Sequence, residues 1–244
     1  MLTHMMKNLP APRLVTQHSR KLLPGTQPWN QAPGKSSLYF VFSVFLLCIA
    51  LTACTPARQP MPDIRLYTLE YPSPVLTGPR AQAVLHVARF GAAPEYRTPK
   101  IIYRDQSFVR QEYTYHQWRA TPQVLAADFM RRDLQASGLF IAVNPPSSLI
   151  PATHEIEGMV EQWLEEDGPE QWMATLELTI TLVNARASAS PDMVLFQRTY
   201  RHSQPCAKKN PAAVAEAMSQ AMSILSAHIT TDVHATILHA SQKP

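Results

Sequence analysis

Leu51-Thr52-Ala53-Cys54 is the stretch whose residue types and order most directly imply a reaction. An aliphatic residue, two small residues and a cysteine form the bacterial lipobox. There the thiol takes up diacylglycerol and the chain is cut just before the cysteine, so Cys54 would be the first residue of the mature protein and its lipid anchor. The competing reading is a signal anchor that happens to contain a cysteine. Other reactive side chains imply less. Cys206 lies in SQPCAKKN beside Lys208 and Lys209, cations able to lower a thiol pKa; it reads equally as a loop cysteine of no consequence. His228 and Asp232 stand one helical turn apart and His234 follows, yet there is no HExxH and no third ligand at a metal-like spacing. A hydrogen bond on a helix surface accounts for that pair. No GxSxG elbow, GxxxxGK[ST] loop or GxGxxG turn occurs, so nothing marks a nucleophile or a phosphate cradle. The expectation is a protein with no catalytic residues, no metal and no cofactor.

Two further groups suit binding rather than catalysis. Tyr103, Tyr113, Tyr115 and Trp118 form an aromatic band that could hold acyl chains or a partner's helix, although hairpin aromatics also serve as packing residues. In THEIEGMVEQWLEE, strict alternation puts Ile156, Val160 and Leu164 on one strand face and Met159 and Trp163, among carboxylates, on the other. If the first set is core, Met159 and Trp163 are exposed, and an exposed Trp can anchor an interface. The plainer alternative has both faces covered.

The elements that must position these residues are legible from Ile64 onward. IRLYTLE and AVLHVARF are short strands, and Lys100 to Trp118 reads as a hairpin turning at Asp105-Gln106-Ser107. Thr121-Pro122 supplies a cap and a first-turn proline for a helix carrying Leu125, Ala126, Phe129, Met130 and Leu134 on one face, closed by Gly138. After a brief strand at Phe140 to Val143, the longest alternation runs from Trp172 to Val183, with Trp172, Ala174, Leu176, Leu178, Ile180 and Leu182 on one side. Met193 to His202 is its expected partner. Asn210-Pro211 opens a last helix whose Val214, Met218, Ala221, Met222, Leu225, Ile229, Val233 and Ile237 recur at helical spacing. The expected fold class is α+β: an antiparallel sheet packed with two main helices, preceded by a lipoprotein signal peptide and a short tether.

Composition agrees with that division. Leu38 to Ala50 is an apolar run of thirteen residues interrupted by Ser43, shorter than the roughly 20 that span a bilayer but right for the core of a secretory signal. Residues 1–53 form the expected signal peptide with its extended N-terminal region, and 54–62, rich in proline, form a tether. Residues 63–244 form one domain. The leader holds five basic residues and no acidic ones. Its removal leaves 17 cations against 18 anions, so a formal charge of +4 becomes −1. A nucleic-acid partner, which needs a basic face, is therefore excluded. Thr55 rather than Asp follows Cys54, which in enterobacterial sorting favours the outer membrane over the inner.

RLYTLE, VLHVARF and above all IIYRDQSFVRQEYTYHQWRATPQVLAADFMRRDLQASGLF, followed by EIEGMVEQW and the terminal helix, resemble the ABC-type transport auxiliary lipoproteins, a group that includes the PqiC-like lipoproteins. The resemblance covers most of residues 63–238. It departs after Trp118, where Arg119-Ala120-Thr121-Pro122 adds a residue and Gln123 replaces the family's Leu. The resemblance implies a non-catalytic lipoprotein on the periplasmic face of the outer membrane. Its partner would be a protein with mammalian-cell-entry (MCE) domains, itself coupled to a permease and an ATPase. Assembly as a homo-oligomeric ring and passage of phospholipid are part of the same expectation. The alternative is an envelope binding module for another client, either a peptidoglycan synthase or an outer-membrane protein under assembly.

Overall fold

The computed structural model describes residues 35–52, 63–105, 108–188 and 193–242. Cys54, its tether and the first residues of the leader lie outside them. The chain divides into two units, Met1–Pro60 and Met61–Pro244. In the first, α1 (Lys35–Thr52) contains the apolar run, with Leu38 to Leu46 exposed. No helix among the described residues is long and apolar enough to cross a membrane.

The second unit is built around β7 (His154–Asp167), the longest strand. Along one edge it pairs antiparallel with β8 (Trp172–Asn184), and β8 pairs antiparallel with β9 (Val194–Pro205). Along its other edge three strands follow one another, all parallel to β7. These are β2 (Ala81–Val87) opposite His154 to Ile156, β3 (Gly91–Ala92) opposite Met159 and Val160, and β4 (Lys100–Arg104) opposite Glu165 and Glu166. Beyond β2 lies β6 (Phe140–Asn144), parallel to it; beyond β4 lie β5 (Gln111–Trp118), antiparallel, and then β1 (Arg65–Tyr67), parallel to β5. The fold is α+β as expected, and its long strands are antiparallel. The sheet as a whole is mixed, because periodicity reports which face of a strand is buried and not which neighbour it takes.

Two helices pack on each other and on the sheet. α2 (Pro122–Ala136) buries Leu125, Ala126, Met130, Asp133 and Leu134 and leaves Phe129 half-buried against Tyr71. Its start differs from expectation. The Thr121 hydroxyl makes no cap; the Thr121 carbonyl receives Val124 N and Leu125 N instead, and Pro122 sets the first turn. Gly138 takes φ +67° just past the helix end, a conformation that glycine adopts without Cβ strain. α3 (Pro211–Ser241) is capped by the Asn210 side chain, which accepts from Ala213 N at 3.0 Å. Every residue of its expected stripe, Val214 through Ile237, is buried. On β8 the expected face is likewise buried at Ala174, Leu176, Leu178, Ile180 and Leu182, with Trp172 half-buried at the strand's start.

Candidate functional site

The end of β7 is where the sequence's aromatic and acidic residues meet. The β7–β8 register slips by one residue between Val160 and Gln162. A bulge of this kind transfers every later side chain to the opposite face. Ile156 and Val160 face the core before it; after it, Trp163 and Glu165 sit opposite Leu176 and Ala174 of the buried face of β8. Trp163 is therefore core, meeting Trp118 edge to face with ring centroids 5.5 Å apart. Both tryptophans are 2 % exposed or less, so neither is available to a partner or to lipid from the surface. Met159 is half-buried against Gly91, its pairing partner. Tyr103 and Tyr113 are half-buried, with ring centroids 4.8 Å apart. Of the six residues singled out for binding, only Tyr115 is exposed. Both tryptophans pack in the core; for Trp163 the reason is the extra residue at Glu161, which breaks the strict alternation on which its exposure rested.

The bulge also carries a carboxyl into the interior. Glu165 is fully buried and accepts from the Tyr113 hydroxyl at 2.9 Å. Burial, reinforced by a hydrogen bond with the Asp167 carboxyl, pushes its pKa up to about 8 despite the Tyr113 contact, which acts the other way. Glu165 Oε2 and Asp167 Oδ1 are buried and receive no donor. A proton on Glu165 gives the pair a donor that its buried carboxyl oxygens otherwise lack. Tyr113 in turn is pushed far above the phenol range by burial and by the neighbouring Glu165. Nothing in the sequence announces this group; its signal is the bulge, which becomes visible only in the pairing with β8.

Beside it opens a cavity of about 420 Å³ lined by Arg104, Phe108, Arg110, Glu166, Asp167 and Met173, among others. Arg104 is held by Glu166 at 2.6 Å. The hairpin turn expected at Asp105-Gln106-Ser107 lies between β4 and β5, although Gln106 and Ser107 are outside the described residues.

The remaining candidates resolve as structure. Cys206 is buried at the end of β9, and burial, with the Glu165 and Asp167 charges, pushes its thiol up to about 11. Lys209, which might have activated it, donates instead to the carbonyls of Gly168 and Pro169. The expected hydrogen bond between His228 and Asp232 gives way to a different pairing. Asp232 receives Arg198 and the Tyr200 hydroxyl from β9, while His228 is exposed. His234 is buried, bonded to Pro79 O at 2.7 Å and set edge-on to Phe140. Among the described residues no three His, Cys, Asp or Glu side chains converge on a metal position.

The sequence profile of the ABC-type transport auxiliary lipoprotein component matches residues 67–230. The chain belongs to that family. The fold of this auxiliary lipoprotein is similar to that of protein XCC0632 from Xanthomonas campestris, a DUF330 protein, with 23 % identity and a TM-score of 0.66 over 73 % of this chain and 99 % of that one. A second, uncharacterized protein is similar at 10 % identity and a TM-score of 0.56, over 70 % and 99 % of the two chains. No curated protein matches the sequence. The family is described by its part in transport beside an ABC system rather than by a reaction.

Proposed function

We propose that this protein is a non-catalytic lipoprotein of the outer membrane, held on its periplasmic face by acylated Cys54. In this reading it serves an ABC transport system that moves phospholipid through an MCE-domain protein, on which it docks. The observation that carries the reading is the family match beginning at residue 67, thirteen residues after a lipobox that closes a secretory-type apolar run. Thr55 after the cysteine supports the outer membrane. Cys206, Glu165 and His234 are buried and Asp232 is engaged by Arg198 and Tyr200, which supports a binding role.

The described residues also suggest where a partner would meet it. The loop between β6 and β7 presents Leu149, 97 % exposed, and Ile150, 63 % exposed. It lies at the start of β7, whereas the chain enters β1 on the side of the end of β7. In this reading the loop points away from the anchored side, toward the MCE protein.

Crosslinking in intact cells, followed by gentle solubilisation of the C-terminally tagged protein and mass spectrometry, tests the assignment. Capture of an MCE protein with co-eluting phospholipid is the expected outcome. Capture of a peptidoglycan synthase or a lone outer-membrane barrel would replace the transport reading with that of a module for another client. Cys54→Ala tests the anchor separately: the protein should leave the sedimented membranes for the soluble fraction.

A further inference from the structure

We propose that the tip of the β4–β5 hairpin, Phe108 with Val109, is a second membrane contact that rests in the interfacial layer of the bilayer holding Cys54. The proposal rests on the anchor reading above and adds a defined orientation to it. Phe108 is wholly exposed and Val109 is 55 % exposed. An aromatic and an aliphatic side chain side by side at a strand-hairpin tip, outside the core, make an apolar point suited to the headgroup boundary.

Strand directions place this point on the anchored side. β1 runs parallel to β5, with Arg65 opposite His116 and Tyr67 opposite Trp118. Since β5 leaves the hairpin tip at Gln111 and runs toward Trp118, the chain reaches Arg65 from the tip side of the sheet. Asp63, Ile64, Arg65 and Leu66 are all exposed along that approach. Ile64 is the tenth residue after Cys54, and ten fully extended residues span at most about 35 Å. A lipid at Cys54 therefore bounds the distance of Ile64 from the bilayer at about that length. A tip held at such short range inserts at high effective concentration, so even a weak apolar contact is occupied.

The contact is apolar rather than electrostatic. Arg104, at the base of the tip, is answered by Glu166, and Arg110 lies against Tyr96 beside Glu95. The other exposed apolar loop, at Leu149 and Ile150, lies near the opposite end of β7. Fourteen strand residues, about 45 Å at 3.3 Å each, separate the two ends. With the hairpin tip in the bilayer, that loop faces away from it.

The test uses the mature lipidated protein, purified in mild detergent and reconstituted into phosphatidylethanolamine–phosphatidylglycerol vesicles. Phe108→Cys and, separately, Val109→Cys are labelled with an environment-sensitive fluorophore; Leu149→Cys is the reference, and buried Cys206 stays unlabelled in the native fold. Acyl-chain nitroxide lipids should quench the labels at 108 and 109 several-fold more than the label at 149, with little change between low and high salt. Equal quenching at all three positions, with the protein still bound to vesicles, would overturn the tip contact and leave the anchor reading standing. Protein lacking lipid at Cys54 by intact mass would overturn both. In cells, a photocrosslinker at 108 that captures a protein in place of lipid would also count against it.

Discussion

At the scale of single residues, Glu165 is the group with the clearest consequence. Its folded-state pKa of about 8 lies above the ordinary value of 4.5, so the folded state holds the proton more tightly than the unfolded chain. The associated stability is complete below about pH 4.5 and is lost as pH rises through about 8. A shift of this size corresponds to a few kcal/mol, on the order of 1.4 kcal/mol per pH unit. The midpoint of thermal unfolding should therefore fall steadily from pH 5 to pH 8.5. Glu165→Gln keeps an acceptor for the Tyr113 hydroxyl and presents a fixed donor to Asp167, so its unfolding midpoint should be flat across the same range and exceed the parent's at pH 8.5. A parent whose stability does not change over that interval would mean that the carboxyl is ionised within the fold. Cys206 supplies a second residue-scale test. With its thiol raised to about 11 and its side chain buried, alkylation at pH 8 should be slow in the native protein and fast in urea. With the leader removed and Cys54 acylated, as proposed, the urea-unfolded protein should then show a single reactive thiol per chain, that of Cys206.

At the scale of elements, β7 decides how much of the molecule the sequence could reveal. β8 and α3 are legible because each keeps one period for its full length: Ala174 to Leu182 alternate without interruption, and Val214 to Ile237 hold a helical stripe. β7 begins with the same alternation and loses it at Glu161, where one inserted residue turns Trp163 and Glu165 inward. Periodicity has no term for an insertion, so Trp163 reads as exposed although its ring is core. The parallel neighbours β2, β3 and β4 are hidden for a related reason, since parallel and antiparallel partners bury the same face. Deleting Glu161 should remove the bulge and leave Trp163 and Glu165 facing inward, now in step with Val160; Trp163→Ala tests the core placement directly. Emptying a buried tryptophan site costs about 3–5 kcal/mol, enough to lower the urea midpoint sharply or abolish folding. A milder check lies upstream, where a Cβ at Gly158 would come within 2.4 Å of the Phe90 ring. Gly158→Ala should destabilise by about 1–3 kcal/mol through overpacking, and Phe90→Leu should recover part of that loss in the double variant. Additive losses would mean that the ring is not what excludes the methyl group.

At the scale of the whole folded unit, the sheet gives the protein two unlike ends. One receives the chain at β1, turns the β4–β5 hairpin and carries the Glu165–Asp167 pair; the other presents Leu149 and Ile150 on the loop before β7. Function by attachment at one end and recognition at the other requires such a polarity, and it needs no catalytic group. The near-neutral formal charge of −1 over residues 54–244 fits recognition through apolar contact better than long-range steering. Replacing Leu149 and Ile150 together with Asp separates the two ends experimentally. Both side chains are exposed, so thermal stability should change by less than about 0.5 kcal/mol, and the Cys54-dependent membrane fraction should be unchanged. Crosslinking to the transport partner should drop at least tenfold, about 1.4 kcal/mol of contact energy, because two desolvated aliphatic contacts become charged groups facing the interface. Undiminished crosslinking with membrane attachment intact would move the recognition surface elsewhere on the domain, with exposed Tyr115 beside β1 as the next position to substitute.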